Sequence, residues 1–280
     1  MSELISEHLC FGGVQRFYRH ASQAIGLPMR FSVYLPPQAQ TAAVPALFYL
    51  AGLTCTEETF MIKAGAQRIA AQLGLALICP DTSPRGAGVA GEAEHWDLGL
   101  GAGFYLDASQ QRWATHYRMQ SYLTELHALV NQHLPVIATQ TGIMGHSMGG
   151  HGALVTALRQ PVLFRSVSAI APICAPMNCP WGEKAFLAYL GSDRTNWERY
   201  DASCLMRERQ TPFPAGILID QGLSDQFLAT QLHPERLEQA CLQAAQPLTL
   251  RRHMGYDHGY YFIASVIEDH LRFHYERLSA

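Results

Sequence analysis

No run in this 280-residue chain is apolar over the roughly 18 residues that a bilayer-spanning helix needs, so no membrane partner is expected. The opening MSELISEHLC carries Glu3 and Glu7 and has no apolar core, unlike a secretory leader. Basic excess is absent too: 20 Lys and Arg against 23 Asp and Glu leave a net charge of −3, which argues against nucleic acid as a partner. C-x-x-C pairs are missing. The seven cysteines (Cys10, Cys55, Cys79, Cys174, Cys179, Cys204 and Cys241) are odd in number and scattered. Such a set fits free thiols in a reducing, cytoplasmic setting better than a disulfide frame, and its spacing does not suit zinc. There is no internal repeat, low-complexity run or linker, so a single domain over 1–280 is expected. Charged residues make up only 15% against 48% hydrophobic, enough to bury a sizeable core.

Apolar runs alternate with helix-like segments. Strands are expected over 28–36, 45–52 and 75–81, with a helix over 64–74 that stops at Gly74. An amphipathic helix is expected over 118–134, then a strand, sharp turn and helix over 140–161. Further strands are expected at 164–172, 215–222 and 247–255, and helices at 233–245 and 260–278. The alternation predicts an α/β fold with a mostly parallel sheet covered by helices on both faces. The stretch 82–117, rich in glycine and aromatics, lacks periodicity, and loops of that length tend to be functional. Residues 173–211 read only as a long connecting segment.

Within GIMGHSMGGHGAL (142–154), Gly145-His146-Ser147-Met148-Gly149 matches G-x-S-x-G. A chain of this length meets that pattern by chance about one time in ten. Its context is more specific, because the apolar strand TGIM precedes it and the helix GHGALVTAL follows, as in a nucleophile elbow. Such a tight turn strains the serine backbone and leaves no room for side chains two residues either side. It lifts the Ser147 hydroxyl clear of the sheet and aims the Met148 N–H at the same spot, where it can hold an oxyanion.

A serine hydroxyl needs a base, and in this chain order the acid and then the histidine follow it. ILIDQGLSDQFL offers Asp220, at the strand's own end, and Asp225, in the loop beyond, where the partner of a triad histidine belongs. RRHMGYDHGYYFI offers His253, inside the strand pattern, and His258, in the loop before the last helix. Asp225 and His258 are the better placed pair. Asp257 suits a turn or cap. The second oxyanion donor should come from the loop after an early central strand, where the Leu53 N–H follows Gly52.

Across nearly its whole length the chain resembles the S-formylglutathione hydrolases, also called esterase D. The resemblance rests on LAGLTCTEETF (50–60), KAGAQRIAAQLG (63–74), PDTSPRG (80–86), GAGFYLDAS (101–109), GHSMGGHGAL (145–154), PWGEKAF (180–186), YLGSD (189–193), DQGLSDQFL (220–228) and GYDHGYYFIASVIEDHLRFH (255–274). It implies an α/β-hydrolase fold and a cytosolic homodimer that hydrolyses S-formylglutathione within formaldehyde detoxification, without metal or cofactor. It also implies Ser147, Asp225 and His258 as the triad, with Leu53 and Met148 as oxyanion donors. Cys55 matches a thiol linked with sensitivity to thiol reagents, and equally suits a small buried apolar residue. Trp181 matches a tryptophan expected near the site. The family usually has serine where this chain has Ala51 and Gly259, and Gly259 is expected to loosen the loop that carries His258.

A general short-acyl carboxylesterase would carry the same triad. A related acyltransferase is disfavoured by the opening residues, and a dehalogenase by serine at the elbow. Lys63, Arg85 and Arg118, basic residues in or near plausible rim loops, are candidates to grip the glutathione carboxylates, though each reads more readily as a solvated surface charge.

Overall fold

In the computed structural model, which describes residues 2–209 and 211–280, residues 3–21 form a hairpin that the sequence pattern did not announce. Strand β1 (Glu3–Cys10) pairs antiparallel with β2 (Gly13–Ala21). Phe11 and Gly12 between them sit at φ 46° and 76°, the positive pair that a type I′ turn requires. β1 forms one edge of the sheet and buries none of its residues fully, which is why it carries no clean apolar alternation.

The other strands lie where expected, within a residue or two: β3 (Pro28–Leu35), β4 (Val44–Leu50), β5 (Ala76–Pro80), β7 (Ser166–Ile170), β8 (Ile217–Gly222) and β9 (Leu248–His253). β6 (Val136–His146) begins four residues before the expected 140. The nine strands form one sheet in the order β1-β2-β3-β5-β4-β6-β7-β8-β9. β1, β2, β3 and β5 pair antiparallel in turn, and from β5 to β9 the pairing is parallel. β5, β7 and β8 are buried at every residue, as parallel strands covered on both faces must be.

Helix α2 (Gln67–Leu73) lies within the helix expected over 64–74 and starts three residues late, and a short helix not expected, α1 (Thr59–Lys63), precedes it. Gly65, at φ 69°, breaks the run, and Gly74, at φ 71°, ends it in the left-handed conformation. Then come α3 (Met119–His133), α4 (Met148–Arg159), α8 (Pro234–Gln243) and α9 (Tyr260–Leu278). The described residues of the segment 173–211, which reads in sequence only as a connection, hold α5 (Pro180–Leu190), α6 (Thr195–Glu198) and α7 (Ala202–Glu208).

The two residue parities of β6 show that α4 and α9 cover opposite faces. A side chain on Gly142 would run into Ser166 Oγ and His274 of α9, whereas one on Gly145 would run into the Gly149 carbonyl of α4. Positions three apart on a strand point to opposite faces.

The region 82–117 contains no helix or strand, only isolated bridges such as Asp107 with Arg118. It braces the loop after β4. Tyr105 Oη donates to the Ala51 carbonyl at 2.9 Å, and Thr54 N–H donates to the Gly101 carbonyl at 2.9 Å. Gly101 N–H is held in turn by Ser83 Oγ at 2.8 Å.

Candidate active site

β5 and β6 lie on opposite sides of β4, so the chain diverges beyond the carboxyl ends of β4 and β6, the place where open α/β sheets form their binding crevice. The β6–α4 turn reaches that crevice. Ser147 there has φ 58° and ψ −121°, a conformation that costs a residue with a side chain about 1–3 kcal/mol. The surrounding backbone leaves no alternative. A Cβ on Gly149 would collide with the Leu50 carbonyl of β4, and one on Gly145 with the Gly149 carbonyl. A Cβ on Gly52 would come within 3.2 Å of Ser147 Cβ, so the loop after β4 lies directly against the serine.

That loop carries Leu53. Among the described residues the Leu53 N–H has no acceptor, while its neighbours Thr54 and Cys55 donate to Gly101 and Gly52. Thr54, at φ 68°, helps turn the chain there. Met148 is the first residue of α4, so its N–H has no intrahelical acceptor.

The loops after β8 and β9 bring the other two residues together. Leu223 and Ser224 N–H donate to the carbonyls of His253 and Tyr256, both at 2.9 Å, tying one loop to the other. His258 Nδ1 lies 2.6 Å from Asp225 Oδ2. A carboxylate only accepts, so Nδ1 carries the hydrogen and Nε2 is left as the base. Asp225 also accepts from Phe227 N–H at 2.8 Å and from Gln221 Nε2 at 3.3 Å. Its side chain is wholly buried, and that of His258 is 15% exposed.

Ser147 and His258 line one narrow cavity of about 130 Å³ with Gly52, Leu53, Cys55, Trp96, His146, Trp181, Phe227 and Tyr260. Aromatic rings build its wall. Trp181 packs on Phe227 at 4.6 Å between centroids and edge-on to Trp96 at 5.5 Å, and Phe227 meets the His258 ring at 5.0 Å. Sequence alone points to Trp181 and Cys55 as neighbours of the site, whereas Trp96, Phe227 and Tyr260, and the role of His146 in the wall, emerge only in the structure. Phe227 and Tyr260 stand two residues from Asp225 and His258, and that proximity was their only signal. Trp96 comes from the unpatterned 82–117 segment. His146 packs at 4.5 Å from the His258 ring. Burial, with His258 alongside, holds it well below the ordinary histidine value, so it is neutral. Burial raises the Cys55 thiol above its ordinary value and keeps it protonated at neutral pH.

The competing residues have other partners. Asp220 is wholly buried and accepts from Arg251 Nε at 2.6 Å, His253 Nε2 at 3.0 Å and His270 Nε2 at 3.1 Å. A relay continues beyond it: Ser168 Oγ lies 2.7 Å from His270 Nδ1 and 2.8 Å from His274 Nε2, and Ser166 Oγ lies 2.6 Å from His274 Nδ1. Neutral rings satisfy the whole chain if each Nε2 donates and each Nδ1 accepts. Asp257 Oδ1 accepts from Gly259 N–H at 2.9 Å, as a turn residue does. Gly259, at φ −85°, needs no glycine for its backbone, and it gives α9 no side-chain cap. Arg85 is paired with Asp81 at 2.7 Å and faces a different cavity, while Arg118 flanks α3 away from the serine cavity. Lys63 lies over the Tyr260 ring.

Four residues after Leu53, the buried Glu57 carboxyl has Arg30, 3.9 Å away, as its one ion partner among the described residues. Burial, then the nearby Asp81 charge, pushes it up to about 7. A raised folded-state value means stability present below the unfolded carboxylate value of about 4.3 and lost as pH rises through 7. Glu57→Gln is therefore expected to melt near the wild type at pH 5 and above it at pH 8.5. Melting curves at the two pH values check this, and a gap of equal size at both would refute it.

Residues 22–273 match the family model described as "Putative esterase". The chain is 51% identical over 278 residues to an S-formylglutathione hydrolase of Rattus norvegicus, covering 99% of this chain and 98% of that one. It is 54% identical over 277 residues to one of Paracoccus denitrificans, with the same coverage. The chain belongs to the S-formylglutathione hydrolase family of esterases. Among solved structures, an S-formylglutathione hydrolase from Agrobacterium tumefaciens is similar to this esterase with a TM-score of 0.95 and 47% identity, covering 99% of each chain. A Staphylococcus aureus fluorophosphonate-binding serine hydrolase, at 20% identity and a TM-score of 0.74, shares the fold. No helix of the described residues is long and apolar enough to cross a membrane.

Proposed function

We propose that this esterase hydrolyses S-formylglutathione to formate and glutathione through Ser147, His258 and Asp225. The observation that carries the reading is the convergence of Ser147 and His258 in one narrow, mostly apolar cavity, with the His258 ring pinned by buried Asp225. Near-full-length identity of about half with named S-formylglutathione hydrolases supports the choice of substrate.

In this mechanism Ser147 Oγ attacks the formyl carbonyl carbon while His258 Nε2 takes its proton. Asp225 keeps the ring in the required tautomer and stabilises its charged form. The Leu53 and Met148 N–H groups hold the oxyanion, and each such donor is worth about 3 kcal/mol of barrier. The C–S bond breaks, and the glutathione thiolate leaves with the proton from His258. Water, deprotonated by His258, then attacks the formyl ester and releases formate and free Ser147. The thiolate is a good leaving group, so the demand on His258 as an acid is modest. No step calls for a metal or organic cofactor. A cavity of about 130 Å³ accepts a small acyl group such as formyl. All seven cysteines are free thiols, which supports a reducing, cytoplasmic setting.

The test compares kcat/KM for S-formylglutathione with that for 4-nitrophenyl acetate. A preference of a hundredfold or more for the thioester is expected. Equal or better turnover of the aryl ester would replace this reading with that of a general short-acyl carboxylesterase.

A further inference from the structure

Lysine is scarce in this chain: Lys63 and Lys184 stand against 18 arginines. Lys184 is neutralised by Asp97 at 2.5 Å. Lys63, the last residue of α1, is exposed and has no carboxylate within ion-pair distance among the described residues. Its ammonium lies 5.6 Å from the centroid of the Tyr260 ring, and Tyr260 lines the Ser147 cavity. Apart from its two histidines, the cavity lining contains no ionisable nitrogen. The exposed Asp257, beside His258, lines a neighbouring cavity that shares His258 and Phe227 with this one.

The substrate proposed above carries two carboxylates and one ammonium. The serine cavity has room for the acyl group but not for the tripeptide, which must therefore lie across the rim. We propose that Lys63 is the residue that recognises a carboxylate of the glutathionyl group, a specificity determinant resting on the functional reading above. An ammonium seated on an aromatic face is held in place yet keeps its N–H donors free on the outer side. It is also a positive charge without an ion partner among the described residues, beside a ring of the cavity wall in a chain of net charge −3, so it draws the anionic end of the substrate toward Tyr260.

The test measures kcat/KM for S-formylglutathione and for an uncharged formyl thioester, such as that of 2-mercaptoethanol. Wild type, Lys63→Arg, Lys63→Gln and Lys63→Glu are compared. The ratio of the two values is taken within each preparation, so the folded fraction cancels. The ratio is expected to fall about fivefold in Lys63→Gln, further in Lys63→Glu, and less than twofold in Lys63→Arg. The fall should appear in KM for the charged substrate, and added KCl should shrink the difference between wild type and Lys63→Gln. A ratio unchanged in Lys63→Gln and Lys63→Glu overturns the assignment while the functional reading stands. A wild type that cleaves the uncharged thioester but not S-formylglutathione overturns both.

Discussion

Ser147→Ala is expected to lower kcat for thioester and aryl ester alike by about 10⁵–10⁶-fold, leaving the residual rate of a site that still binds and polarises its substrate. Alanine keeps the Cβ, so the turn keeps its strain and the melting temperature should stay near that of the wild type. Ser147→Gly separates function from stability. Glycine adopts φ 58° and ψ −121° without the Cβ penalty, and a release of about 1 kcal/mol corresponds to roughly 2–4 °C in a chain of this size. That variant should be as inactive as Ser147→Ala and should melt higher than it. The measurements are active-site-titrated kinetics and calorimetry of all three proteins. Activity retained in either variant would remove Ser147 from the mechanism. A lower melting temperature for glycine would mean that the elbow stores no strain.

Two aspartates five residues apart should give opposite phenotypes. Asp225→Asn presents an amide to His258 Nδ1, favours the wrong ring tautomer and is expected to cost about 10⁴-fold in kcat. Asp225 also accepts from Phe227 N–H and Gln221, and asparagine can keep one of those bonds, so the change in stability should be small. Asp220→Asn should do the reverse. It removes a wholly buried charge from between Arg251, His253 and His270, and breaking such a cluster costs about 3–5 kcal/mol. The expected fall in melting temperature is on the order of 10 °C, with the folded fraction keeping most of its activity.

The pH dependence of that loss has a definite sign. Burial opposes ionisation of Asp220, but hydrogen bonds from His270, Arg251 and His253 outweigh it and hold the carboxyl well below the ordinary range. A depressed value contributes stability that is complete above the unfolded value, near pH 4, and is lost only as pH falls through the folded one. The gap between wild type and Asp220→Asn should thus be full at pH 7 and narrow only in strong acid. Stability loss with Asp225→Asn and activity loss with Asp220→Asn would exchange the roles given to the two residues.

The separation of these aspartates was legible because it is a matter of position along the chain. A residue near the end of a buried strand must find partners on neighbouring strands and helices, while one five residues further on, past the strand's end, is free to face the crevice. The elbow was legible for a related reason, since its glycines answer to contacts with adjacent elements, Gly145 with the turn itself and Gly149 with β4. The N-terminal hairpin was not. β1 buries no residue fully, and the buried positions of β2 are Gly13, Gln15, Tyr18 and His20, so the ribbon leaves no apolar period to read. The helices within 173–211 were missed because they are short and interrupted by glycine, proline and polar residues.

By itself the sequence determined the alternation of buried strands and amphipathic helices, the strained serine turn, and which acid and which histidine could follow it to the same end of the sheet. These are local consequences of residue period, glycine placement and chain order. Only the tertiary structure decided what closes the site. Trp96, Trp181, Phe227 and Tyr260 come from four separate segments and meet through packing. The long 82–117 segment braces the Leu53 loop through Tyr105, Gly101 and Ser83. Lys63 lies over the ring of Tyr260, nearly two hundred residues away in the chain. Contacts between residues so distant in sequence leave no local period, because each is set by the shape and charge of a partner that the fold alone brings near.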